Sequence, residues 1–175
     1  GRVDRQIKGF YETQAVIDNS ATLVICGDHG MSPVVHQVNI EAIVMGLMET
    51  KTISKKVSMF LDSTMARFWS SEDNDDLEEL KIAVDTTFSE FGYFVAREDY
   101  IDNGIPDSRM YGDLIWLCNE GVVLSPDYFT PANKNILGMH GYKPTGRQHY
   151  GFCLVVGDEV EQCSFDNPQP LTKAY

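Results

Sequence analysis

Apolar residues recur along this chain with two periods, one helical and one of strands. Val3, Ile7 and Phe10 return at helical spacing and predict a first helix over about 2–17, closed by Asp18-Asn19-Ser20. Residues 22–26 form a short apolar run bounded by turn residues, which reads as a strand buried on both faces of a sheet. A loop over 27–33 follows. Asn39 is placed to cap a helix over about 40–49, whose apolar face is Ile40, Ile43, Val44 and Leu47. Segments 56–61 and 65–69 have strand character. The polar run "SSEDNDD" then leads into a helix in which Leu77, Leu80, Val84 and Phe88 hold the period through about 89. Strands are predicted at 92–96, 113–118, 122–124 and 152–156, with a Gly- and Pro-bearing loop over 125–150 before the last.

Strands alternating with helices indicate an α/β fold, a sheet with flanking helices. The β-rich stretch of about 53–124 reads as a smaller α+β lobe inserted into a core made of about 1–52 and 125–175. The 175 residues are 43% hydrophobic and 11% aromatic, a globular make-up that excludes disorder of the whole chain. A formal charge of -12 without a basic stripe argues against nucleic-acid polymers as partners. It leaves phosphate esters open, since bound cations can neutralise them locally. No apolar run approaches the ~20 residues that span a bilayer. Cys26, Cys118, Cys153 and Cys163 form no C-x-x-C pair; the first three lie in apolar runs and are expected as buried free thiols. The chain starts Gly-Arg-Val-Asp and stops at Ala-Tyr, so it reads as part of a longer protein whose compartment is not specified.

Chemistry concentrates in two loops. In "TLVICGDHGM", Asp28 and His29 stand side by side where a strand ends, the position at which ligands gather in α/β sheets. A hard carboxylate oxygen beside a neutral imidazole nitrogen suits zinc or a similar ion, and an ordinary polar turn accounts for the same residues. In "ILGMHGYKPTG", His140 is again bracketed by glycine, about ten residues before a strand.

"ICGDHGM", "RMYGDLIWLCNEGVVLS" over 109–125 and "GMHGYKP" over 138–144 together resemble the type I phosphodiesterase and nucleotide pyrophosphatase family of the alkaline phosphatase superfamily. The resemblance implies an alkaline-phosphatase-like α/β domain with two divalent metal ions, usually zinc. Asp28 and His29 match the adjacent pair that holds one metal, and His140 matches the histidine that holds the other. It implies in-line displacement on a small phosphate ester or nucleotide, with charge neutralisation supplying most of the rate.

The family's Thr or Ser nucleophile, its partner Asp and further ligands have no counterpart here and are expected upstream. The chain therefore corresponds to the C-terminal portion of a catalytic domain and is expected to be inactive alone. Ser32 and Thr145 lack the nucleophile's context and read as loop residues. His36 reads as a surface or satisfied polar residue. His149 stands at a strand start, with an approach to substrate as its second reading. Asp4 reads as a solvent-facing charge, and Tyr142 as a ring packed near the site with its hydroxyl on a polar partner. Two alternatives stay open: a relative acting on phosphomonoesters, phosphonates or sulfates, and a non-catalytic acidic binding module retaining the fold. Apolar surface left uncovered in a partial domain implies self-association.

Overall fold

The computed structural model describes residues 1–13, 22–71, 75–132 and 134–156. The predicted break at Asp18-Asn19-Ser20, Cys163 and the middle of the acidic run lie outside the described residues. The chain divides into two units, Gly1–Gly30 with Tyr150–Tyr175, and Met31–His149.

The first unit holds α1 (Arg2–Tyr11) and two strands, β1 (Leu23–Gly27) and β10 (Phe152–Val156). The helix is shorter than its apolar period predicted, ending with Glu12 as cap, and it buries none of its residues. Its Ile7 and Tyr11 line a cavity of about 440 Å³ with Leu23, Ile25, Leu154 and Val156 of the strands. β1 and β10 pair antiparallel, Cys26 opposite Cys153. Here two expectations fail. The β1 strand is not buried on both faces, and Cys26 and Cys153 are exposed free thiols, whereas Cys118 is buried as expected. The physical reason is that a two-stranded ribbon has two faces, and among the described residues neither is closed over.

The second unit carries the larger core. Asn39 caps α2 (Ile40–Glu49) as predicted, its Oδ1 accepting from the Ala42 N–H at 2.9 Å. The sheet runs in the order β4 (Val57–Asp62), β5 (Met65–Ser70), β7 (Leu114–Cys118), β6 (Gly92–Phe94), antiparallel throughout. One face, with Ala66, Phe68 and Trp116, packs against Ile40 and Val44 of α2 and against Leu77, Leu80 and Val84 of α3 (Asp75–Phe88). These are the helical positions the apolar period marked. Burying a side chain such as Leu80 fully stabilises by about 1.5–3 kcal/mol. Gly92 is required here, because a Cβ would collide with the Trp116 ring and the Leu117 carbonyl. The opposite face is partly covered by the 97–111 segment, through a second cluster of Val95, Tyr100, Ile105 and Ile115.

Three short strands escaped the sequence pattern. β2 (Ser32–Pro33) pairs antiparallel with β9 (Gly138–Met139), inside the two stretches read as loops. β3 (His36–Val38) runs parallel to β8 (Val122–Leu124). Two- and three-residue strands are too short to show a period of two.

Candidate functional site

In the first unit, β1 ends at Gly27 and delivers Asp28 and His29 into the following turn. Asp28 Oδ1 accepts from the His29 backbone N–H at 3.0 Å, which turns the carboxylate back over its neighbour. His29 Nδ1 lies 2.8 Å from the Gly30 carbonyl oxygen. A carbonyl only accepts, so this bond places a proton on Nδ1, and in the neutral tautomer Nε2 then carries the lone pair. Nε2 lies 3.4 Å from Asp28 Oδ2. Two donors at ~2.0–2.1 Å from one tetrahedral zinc stand ~3.3 Å apart, so the pair has the separation of one edge of such a site. The Asp28 side chain is 87% exposed and that of His29 37% exposed, which leaves both reachable from solvent.

In the second unit, His140 directly follows β9 and is exposed. Three bonds fix its turn. β9 is tied to β2. The Gly141 carbonyl accepts from Thr64 Oγ1 at 3.2 Å, and Gly141 has φ +92°, a left-handed conformation that favours glycine. Tyr142 is buried, and its hydroxyl donates to the Val122 carbonyl at 3.0 Å, as its sequence position suggested. Burial pushes the Tyr142 phenol up to about 12.

The loop's far end is held by a group that sequence reading missed. Glu120 Oε1 accepts from Gln148 Nε2 at 2.7 Å and from Ser32 Oγ at 2.8 Å. Hydrogen bonds from Gln148, then Ser32, hold the Glu120 carboxyl below its ordinary range, with His149 close by adding a smaller effect of the same sign. His149, its side chain only 5% exposed, faces Glu120 Oε2 at 3.3 Å and the Tyr142 ring at 6.1 Å. Ser32 is therefore a buried structural donor rather than a loop residue. His36 packs its ring on Phe91 at 5.1 Å, and Asp4 faces solvent.

Among the described residues no group of three or more His, Cys, Asp or Glu side chains is placed to hold a metal ion. Asp28 and His29 are brought together in the first unit, and His140 belongs to the second. No described helix is long and apolar enough to cross a membrane.

Comparison with known proteins gives these local arrangements a common frame. Human ectonucleotide pyrophosphatase/phosphodiesterase 5 shares the fold, with TM-score 0.66 and 16% identity over 90% of this chain and 40% of its own. The murine protein, as an inactive variant in complex with AMP, matches with TM-score 0.66 and 15% identity over 88% of this chain and 39% of its own. Phosphonoacetate hydrolase from Sinorhizobium meliloti 1021, in complex with phosphonoformate, matches at TM-score 0.52 and 18% identity, over 84% of this chain and 39% of its own. The chain thus spans about 40% of the length of the human structure. It has the mixed α/β architecture of a partial alkaline-phosphatase-like domain. No curated protein sequence matches it. The sequence matches the type I phosphodiesterase/nucleotide pyrophosphatase family over residues 1–143, and the chain belongs to that family.

Proposed function

We propose that this chain is the C-terminal portion of the catalytic domain of a metal-dependent phosphoric-ester hydrolase that cleaves phosphodiesters or nucleotide pyrophosphates. The carrying observation is the 3.4 Å approach of Asp28 Oδ2 to His29 Nε2, at a strand end, with the imidazole proton held on Nδ1. Asp28 and His29 hold one divalent ion, zinc by preference, and His140 contributes to a second. Such ions, when bound, supply charge neutralisation of the phosphoryl oxygens.

The chain's own residues orient the donors. Gly30 fixes the His29 tautomer, while Thr64, Tyr142 and the Glu120 group hold the turn that presents His140. The Thr or Ser nucleophile comes from a segment outside these 175 residues, so the isolated chain is inactive. The sheet-bearing stretch of about 53–124 is a lobe inserted in the core and shapes the substrate pocket. The substrate is a small phosphate ester or nucleotide, which agrees with the AMP carried by the murine relative. The apolar residues exposed on the β1/β10 ribbon, Val24, Phe152 and Leu154 among them, make the isolated chain self-associate.

The test joins this chain to the segment that precedes it in its own gene and assays a nitrophenyl phosphodiester with zinc. Activity that falls about a hundredfold or more in Asp28→Ala and in His140→Ala is expected. A joined protein that binds zinc yet turns over no phosphodiester, phosphomonoester, phosphonate or sulfate would leave a non-catalytic binding module in its place.

A further inference from the structure

Arg67 stands in β5 on the sheet face away from the helices, opposite Phe60 of β4. Its guanidinium carbon lies over three rings, 4.8 Å from the centroid of Phe60, 4.7 Å from Tyr111 and 5.8 Å from Trp69. The Trp69 ring is itself pinned, its Nε1 donating to the Arg109 carbonyl at 2.9 Å. Such stacking occupies the faces of the guanidinium and leaves its in-plane N–H edge as the group that recognises oxyanions.

The neighbouring arginines are neutralised and Arg67 is not. Arg109 pairs with Asp113 and Arg97 with Asp107, both at 2.8 Å. Among the described residues the Arg67 side chain makes no ion pair or hydrogen bond, and its Nε is buried without an acceptor. In a chain with a formal charge of -12, a positioned cation lacking a carboxylate is a departure that calls for an anion.

Phe60 also adjoins a second kind of surface. Tyr128 stacks 5.1 Å from Phe60 and Phe129 lies 5.1 Å from Tyr128, the two rings being 73% and 66% exposed. Beside Tyr128 is a cavity of about 180 Å³ that Glu41 and Asp127 help to line, and Asp127 Oδ2 has no hydrogen-bond donor. Carboxylates repel an anion at that end and accept from an amino group there. The polarity of the patch therefore runs from an oxyanion at Arg67 to an amino-bearing ring at Tyr128.

We propose that Arg67, Phe60 and Tyr128 form a binding site for a small phosphorylated compound carrying an amino-substituted aromatic ring. Arg67 takes the phosphate through its N–H edge, and Tyr128 stacks the ring. The site uses none of Asp28, His29 and His140, so its failure and the failure of the hydrolase reading are separate results. Asp62 lies two residue pairs further along, the next position on the same face, and opposes the anion.

The probe is AMP, titrated calorimetrically into the 175-residue chain in EDTA, which removes any metal-dependent binding. Saturable binding is expected, at least tenfold weaker in Arg67→Gln and at least threefold weaker in Tyr128→Ala. Adenosine, inorganic phosphate and the oxo-substituted IMP should each bind more weakly than AMP, and Asp62→Asn should tighten AMP. Tyr128→Ala removes an exposed ring and so remains interpretable if Arg67→Gln does not fold. Absent binding, binding unchanged in Arg67→Gln or in Tyr128→Ala, or phosphate alone binding as tightly as AMP overturns the proposal.

Discussion

Asp28 Oδ2 and His29 Nε2 stand 3.4 Å apart at the end of β1, held there by the His29 N–H on one side and the Gly30 carbonyl on the other. Both partners are backbone groups of the same turn, so the arrangement is local. It follows that the 175-residue chain should bind one zinc or cobalt ion weakly through this pair. Asp28→Ala and His29→Ala should each reduce the affinity at least about tenfold, read by equilibrium dialysis or by cobalt absorption. Binding that survives both substitutions would assign the ion elsewhere.

Tyr142 ties the His140 turn to β8 through a buried hydroxyl. Tyr142→Phe leaves the Val122 carbonyl without its donor and should destabilise the chain by about 1–2 kcal/mol in denaturant titrations. The phenol is raised from 10.0 to about 12 on folding. Between those values the unfolded chain loses its proton first, so stability present below pH 10 should fall as pH rises toward 12. In Tyr142→Phe that part of the alkaline decline should vanish. An identical decline in the two proteins would place the titrating group elsewhere.

Glu120 titrates on the acid side, with the opposite sign. Its carboxyl is held below the ordinary value of 4.5 by donors on Gln148 and Ser32. Its contribution is thus complete above pH 4.5 and lost as pH falls through the folded value. Glu120→Gln should show a shallower loss of stability below pH 4.5, followed by circular dichroism. Ser32→Ala, which removes one donor, should fall between Glu120→Gln and the parent. An unchanged acid limb in both would mean that the cluster carries no linkage.

Thiol accessibility offers a direct check on the ribbon. Cys26 and Cys153 should react with an aromatic disulfide reagent within seconds to minutes in the native chain, with sites assigned by peptide mass mapping. Cys118 should wait for unfolding, because burial both shields it and raises its thiol far above the ordinary range. Equal rates at Cys26 and Cys118 would contradict the packing described for the two units.

How far the chain could be read in advance depended on the range of the forces involved. Asn39 and the Leu77, Leu80, Val84, Phe88 series act through neighbours within a turn or two, and both helices fall where those residues put them. Asp28 and His29 are equally local, which is why their strand-end placement was legible. Ser32 and Glu120 are not, since a serine in a loop and a glutamate in the turn "NEG" carry no pattern until folding brings them 2.8 Å apart. Arg67 was silent for the same reason, its three rings arriving from β4, β5 and the 97–111 segment. Cys26 and Cys153 misled because apolar flanks report a tendency to be buried, and the ribbon face they sit on, opposite the one that α1 approaches, is exposed among the described residues. Family membership, in contrast, rested on short motifs spread over most of the chain and was readable at once.

The parallel pairing of β3 with β8 has a kinetic side. β4 and β5 are joined by a tight turn and can zip from it within microseconds, whereas β3 must wait for β8, which lies beyond the whole four-stranded sheet in sequence. The loop closure that joins them is long and entropically expensive, exceeded by that of β2 with β9, which encloses it in sequence. The His140 turn hangs from Val122 of β8 and from Thr64 between β4 and β5, so it takes its final shape only after that closure. The residue with the most chemistry in this unit is thereby among the last to be organised, and any slowing of refolding delays it first.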